Sequence, residues 1–206
     1  QWCNEGMEVV YVLCTDGSKG SDDPEMTPEK LTEIRYKEQE DAAKILGLKN
    51  VEYLGYPDAY LTPSLELRKD ITREIRRHKP DVLITTAPFR TVGQNYGSSH
   101  PDHIAAGEAT LSSVYPTARD RLTFPELLDE GFEPHKVREV WVMSREDADH
   151  YNEISEENME IALKALAAHT SQVPPEAIER VRAWKSDNGR QHNMKYAESF
   201  RTFTLR

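Results

Sequence analysis

Glu8-Val9-Val10-Tyr11-Val12-Leu13-Cys14 is a run dominated by apolar and β-branched residues, with Gly6 before it and Thr15-Asp16-Gly17-Ser18-Lys19-Gly20 after it. A short apolar run between turn signals predicts a strand buried on both faces, as in a parallel sheet. A helix follows. Thr27 stands at its cap and Pro28 at its first position, Leu31, Ile34, Ala42, Ile45 and Leu46 mark its apolar side, and Gly47 ends it. The alternation continues outward. A strand is predicted over 51–56, with Pro57-Asp58 just past it. A helix follows over 64–78, with Leu65, Ile71 and Ile75 on one face and Pro80 as its stop, then a strand over 81–86. Beyond these lie a polar, Gly-containing loop over 87–99, a helix from Pro101 to about 114, and an irregular insertion over 116–136 with three prolines. The last predicted elements are a strand over 137–143, helices over 158–168 and 176–185, and an alternating edge strand over 199–205. Strands alternating with helices on short connections predict one α/β domain, 1–206, built on a mostly parallel sheet.

Composition narrows the function classes. The 206 residues carry 26 Lys+Arg against 36 Asp+Glu, a formal net charge of -10. That balance argues against a nucleic-acid binder, which needs a basic face, and against a partner of anionic membranes. Nine Tyr, five Phe and three Trp argue against a disordered acidic chain. No apolar stretch approaches the roughly 18 residues of a membrane helix. Cys3 and Cys14 cannot build a disulfide framework. Cys14 reads as a buried free thiol, which fits a reducing compartment and, with no signal-peptide pattern at the start, a cytoplasmic location.

In open α/β sheets, ligands bind outside the carboxyl ends of the strands. Three such ends carry polar groups: Thr15-Asp16-Gly17, Tyr56-Pro57-Asp58, and the loop into Ser98-Ser99-His100-Pro101-Asp102-His103. Pro101 fits a first helical turn, so His100 and His103 share one face of it. Neutral imidazole is a good zinc ligand, a second histidine can serve as acid or electrostatic stabiliser, and Asp102 can hold an imidazole through its ring N–H. A surface pair at a helix start has the same spacing, and spacing alone leaves both readings open. Asp16 is either a cleft carboxylate or a turn-forming residue before Gly17, and Asp58 has the same ambiguity. Arg35 suits a substrate carboxylate, phosphate or sugar hydroxyl, although spacing alone favours a solvated pair with Glu38 or its neighbours. His169-Thr170-Ser171-Gln172 reads as an imidazole at a helix C-terminus. Gly17 and Gly20 match neither dinucleotide nor P-loop spacing.

Taken in order, the run through Cys14-Thr15-Asp16-Gly17, then Arg35-x-x-Glu38, Ala42-x-x-x-Leu46-Gly47, Gly55-Tyr56-Pro57-Asp58, His100-Pro101-Asp102-His103 and His169-Thr170-Ser171-Gln172 resemble the LmbE-like (PIG-L-type) N-acetylglucosaminyl deacetylases. The likeness extends to Tyr196-Ala197-Glu198-Ser199-Phe200. It implies a Rossmann-like sheet with helices on both faces and a zinc-dependent hydrolase that removes an N-acetyl group from an N-acetylglucosamine-type substrate. It implies His103 as a zinc ligand and His100 as the charged or proton-donating residue at the tetrahedral intermediate. Asp102 would orient His100 or pack beside the site. Arg35, Asp58 and Asp16 would contact substrate. The implied partner is a small amino-sugar substrate, with neither nucleic acid nor membrane, and a homo-oligomer is compatible with the reading.

One family motif, Ala-His-Pro-Asp-Asp at the end of the first strand, has no match here. It supplies a histidine and an aspartate as zinc ligands and a further aspartate as general base. Gln1-Trp2-Cys3-Asn4-Glu5-Gly6 reads as a helix end turning into a strand, so the chain is expected to begin just after that motif, lacking one strand and half a helix. The neighbours of that strand would then expose apolar surface. Two alternatives follow: a metal-dependent amidase acting on another amide such as a thiol conjugate, and a carbohydrate-binding or interaction module without the zinc.

Overall fold

The computed structural model describes residues 1–90, 100–144 and 147–205. Two compact units emerge, one of Gln1–Pro57 with His150–Ser199, the other of Asp58–Asp149 with the C-terminal residues from Phe200.

In the first unit β1 (Val10–Thr15) and β2 (Asn50–Tyr56) are parallel neighbours, with Val10 opposite Asn50 and Leu13 opposite Tyr53. Between them runs α1 (Pro28–Leu46), whose ends follow the predicted signals. The Thr27 hydroxyl accepts from the Lys30 amide at 3.2 Å, and Gly47 closes the last turn onto the Ala43 and Lys44 carbonyls. Burial of β1 departs from expectation. Tyr11 and Val12 are 40% and 37% exposed, and among the described residues β2 is the one strand paired with β1. Cys14 forms no disulfide and is half-buried rather than fully buried.

The same unit holds β5 (His150–Glu153), α5 (Glu156–Ala167), α6 (Pro175–Arg190) and the start of β6 (Ala197–Thr204). Met159, Leu163 and Tyr196 form its buried cluster, with Ile154, Ile178 and Val181 packed around them. The sequence pattern missed β5, whose His-Tyr-Asn-Glu has no apolar alternation. It also ended α6 at 185, five residues early.

The second unit holds α2 (Leu65–His78), β3 (Val82–Thr85), α3 (Pro101–Ser112), the short α4 (Glu126–Asp129), β4 (Glu139–Met143) and the Phe200–Thr204 part of β6. β3 and β4 are parallel, with Val82 opposite Glu139. β4 and β6 are antiparallel, with Val140 opposite Phe203. The segment expected as an edge is therefore flanked, by β4 along one part and β5 along the other. Leu67, Ile71 and Ile75, spaced by four, form the buried stripe of α2. Leu65 was expected in that stripe. It lies two residues from Leu67, on the opposite side of the helix, and is 63% exposed. The insertion over 116–136 is organised rather than irregular: Arg76, 1% exposed, donates to the carbonyls of Thr117, Ala118, Asp120 and Thr123. The architecture is α/β, with sheets flanked by helices. Most of the expected 87–99 loop, including Ser98 and Ser99, lies outside the described residues.

Candidate functional site

In the second unit the candidate site is built on the first turn of α3. Pro101 starts the helix. His100 caps it through its ring, whose Nδ1 accepts from the Asp102 amide at 3.2 Å. With Nδ1 an acceptor, the neutral ring carries its proton on Nε2. The His100 and His103 ring centroids are 5.5 Å apart. The His103 carbonyl accepts from the Thr86 hydroxyl at 2.5 Å, which fixes this turn to the segment leaving β3. Burial lowers the His103 pKa below its ordinary value and the charge of His100 adds to the effect, while Asp102 and Asp58 act the other way. Burial thus favours the neutral imidazole of His103, the form that ligates a metal.

Asp102 is buried, and both its carboxylate oxygens are engaged. Oδ2 accepts from the Ala59 amide at 2.7 Å and Oδ1 from the Leu61 amide at 3.2 Å. Its hydrogen bond with His100 runs from backbone to ring, so the carboxylate serves the 58–61 turn. Asp58 belongs to that turn, where its Oδ1 also accepts from the Ala59 amide, at 2.9 Å.

Asp16 and Arg35 belong to the first unit. Asp16 Oδ1 accepts from the Ser18 amide at 2.9 Å, the local turn that its position before Gly17 allows, and its own amide donates to the Tyr56 carbonyl. Arg35 Nη1 donates to the Gly17 carbonyl at 2.5 Å. Gly17 has φ +66, and a Cβ there would lie 2.7 Å from the Arg35 Cδ, so the approach requires glycine on both counts. Glu38, read from spacing as a solvated partner, is buried and tied to a distant segment. Its carboxylate accepts from the Thr170 hydroxyl at 2.8 Å and from the Ser171 amide and hydroxyl, both at 2.7 Å. Burial pushes the Glu38 carboxyl up, but the Ser171 and Thr170 bonds together with the His169 charge outweigh it, and the net shift is downward. Arg35-x-x-Glu38 and His169-Thr170-Ser171-Gln172 are therefore two sides of one contact. Nothing local in either motif announces it.

The fold and the His-Pro-Asp-His turn define a class. The model of the GlcNAc-PI de-N-acetylase (PIG-L) family matches residues 1–114, and the chain belongs to that family of amide hydrolases. Diacetylchitobiose deacetylase of Thermococcus kodakarensis is 30% identical over 202 residues, 96% of this chain and 73% of that protein. The probable N-acetyl-α-D-glucosaminyl L-malate deacetylase 2 of Bacillus anthracis is 28% identical over 190 residues, 89% of this chain and 77% of that protein. The crystal structure of N,N′-diacetylchitobiose deacetylase from Pyrococcus horikoshii superposes with a TM-score of 0.88 at 30% identity, covering 98% of this chain and 75% of that one. Deacetylases of this family are metal-dependent. Among the described residues, no helix is long and apolar enough to cross a membrane.

Proposed function

We propose that the protein is a zinc-dependent deacetylase that removes the acetyl group from an N-acetylglucosamine-type sugar. The observation that carries this reading is the asymmetry of the two histidines on the first turn of α3. His103 is held neutral, as a zinc ligand must be, and the donor chemistry fits the ion. His100 has its Nδ1 occupied by the Asp102 amide and so keeps Nε2–H as a donor. His103 is proposed as one ligand of the zinc. A bound zinc supplies Lewis acidity to the hydrolysis of the amide. His100 directs Nε2–H toward the oxygen that gains charge as the acetyl carbonyl is attacked by water, and so stabilises it. Asp58 hydrogen-bonds the sugar. Arg35 and Asp16 are proposed as substrate contacts on the resemblance alone. Diacetylchitobiose, the neutral sugar in the names of the Thermococcus kodakarensis and Pyrococcus horikoshii deacetylases, is the first substrate to assay.

The test combines metal content with turnover. Wild-type protein dialysed against zinc and then buffer retains zinc by elemental analysis and releases acetate from N,N′-diacetylchitobiose. The His103→Ala variant should lose more zinc affinity than the roughly tenfold to 100-fold that loss of an outer-shell partner costs, and should release no measurable acetate. Unchanged zinc stoichiometry and affinity in His103→Ala would remove His103 from the metal site. A zinc-loaded wild type that releases no acetate from any N-acetylated amino sugar would overturn the proposed activity.

A further inference from the structure

The carboxylate of Asp102 lies within the His-Pro-Asp-His turn, yet it is spent on backbone amides two residues apart, those of Ala59 and Leu61. The residue between them is Tyr60, whose side chain is 72% exposed. Ala59 sits at φ +67, a left-handed conformation that costs a non-glycine residue about 1 kcal/mol or more and persists only where surroundings enforce it. Those surroundings are visible: the Ala59 amide is shared between Asp58 Oδ1 and Asp102 Oδ2. On the far side of Tyr60, Leu61 and the Thr62-Pro63 that follow line a pocket of about 280 Å³ with Arg90, Ile104 and Glu108. A single buried carboxylate from the helix turn that bears His100 and His103 therefore fixes the backbone on either side of an outward aromatic ring, together with the wall beside it.

We infer that Tyr60 is a sugar-stacking residue, that its ring takes the apolar C–H face of a pyranose, and that Asp102 is the positioning residue that holds it there. This rests on the proposed amino-sugar chemistry and adds to it the residue that reads the sugar. An aromatic face covers the axial C–H surface of a pyranose while its hydroxyls stay free for polar groups such as Asp58 and Arg90.

The experiment measures binding and turnover separately. Isothermal titration of N,N′-diacetylchitobiose into the zinc-loaded protein, alongside acetate release from the same sugar, compares wild type with Tyr60→Ala, Tyr60→Phe, Asp102→Asn and the Tyr60→Ala/Asp102→Asn double variant. Tyr60→Ala should weaken binding and raise KM about fivefold to tenfold, the scale of one aromatic contact, with kcat changed by less than about twofold. Phenylalanine keeps the ring face and should restore most of the affinity. Asp102→Asn should weaken binding similarly while keeping its cooperative thermal transition, and adding Tyr60→Ala to it should cost little more, because the two act as one unit. Unchanged sugar affinity in Tyr60→Ala, or effects of the two variants that multiply, would overturn the inference while leaving the deacetylase reading intact. Sugar binding that depends on Tyr60 in a protein releasing no acetate would sustain the inference and overturn the activity. A wild type that binds no sugar overturns both.

Discussion

Asp102 and Glu38 show how a buried carboxylate can be satisfied chiefly by hydrogen bonds from another stretch of chain. Each accepts from groups on a separate stretch of chain, Asp102 from residues 59 and 61, Glu38 from residues 170 and 171. Burial opposes the ionised form, and at Glu38 the hydrogen bonds and the His169 charge together outweigh it. The consequence for stability has a definite sign. The folded-state pKa of Glu38 lies below its ordinary 4.5, so its ionised form stabilises the fold above that pH, and the contribution is lost as the pH falls through the lower folded value. Glu38→Gln should therefore cost about 1–3 kcal/mol in urea unfolding at pH 7, the scale of charge-assisted bonds. The gap to wild type should close as the pH is lowered below 4.5, and a gap that stays constant with pH would refute the assignment. Sequence spacing placed Glu38 three residues from Arg35 and could go no further. Its partners are more than 130 residues away, and a carboxylate on a helix looks the same in sequence whether it meets water or a buried turn.

α3 sits close to the chain leaving β3 for a reason found in one residue. A Cβ at Gly107 would lie 2.5 Å from the Thr86 carbonyl oxygen and 3.1 Å from the Ala87 carbonyl carbon, both backbone atoms that cannot swing aside. The same segment bonds His103 through the Thr86 hydroxyl, so the close approach also sets where the candidate ligand stands. Gly107→Ala would ordinarily gain about 1 kcal/mol of helix propensity. Here it should instead lower stability by about 1–3 kcal/mol, the usual scale of overpacking. A raised melting temperature in thermal unfolding would show that α3 has room to shift. Elements with signals at their own ends were legible from sequence: Thr27, Pro28 and Gly47 bound α1, and Pro101 starts α3. Elements defined by distant partners were not. β5 is a polar tetrad that becomes a strand beside β6, and the 116–136 segment takes its order from Arg76, a residue of another helix whose charged type predicts the surface. Leu65 is a different case: helical spacing alone places Leu67, not Leu65, on the face of Ile71 and Ile75, and their burial agrees.

At the scale of the whole molecule the excess of acidic over basic residues, 36 against 26, sets a long-range field of one sign. Such a field repels anions before any contact is made and weakens as salt shortens its range, from about 30 Å at 0.01 M to about 10 Å at 0.1 M ionic strength. The proposed chemistry needs no anionic substrate group: its named polar contacts in the second unit, Asp58 and His100, suit hydroxyls and a developing oxyanion. Neutral and anionic amino sugars should therefore respond differently to salt. Over that tenfold rise in NaCl, kcat/KM for N-acetylglucosamine 6-phosphate should climb by about threefold or more, chiefly through KM. For unphosphorylated N-acetylglucosamine it should change by less than about twofold, because a neutral ligand feels the field weakly. Steady-state acetate release at the two ionic strengths makes the comparison within one preparation, so metal loading cancels. If the phosphorylated sugar instead loses kcat/KM as salt rises, a local cationic contact outweighs the global charge. Arg90, which lines the pocket beside the Asp58 turn, would then be the first residue to replace.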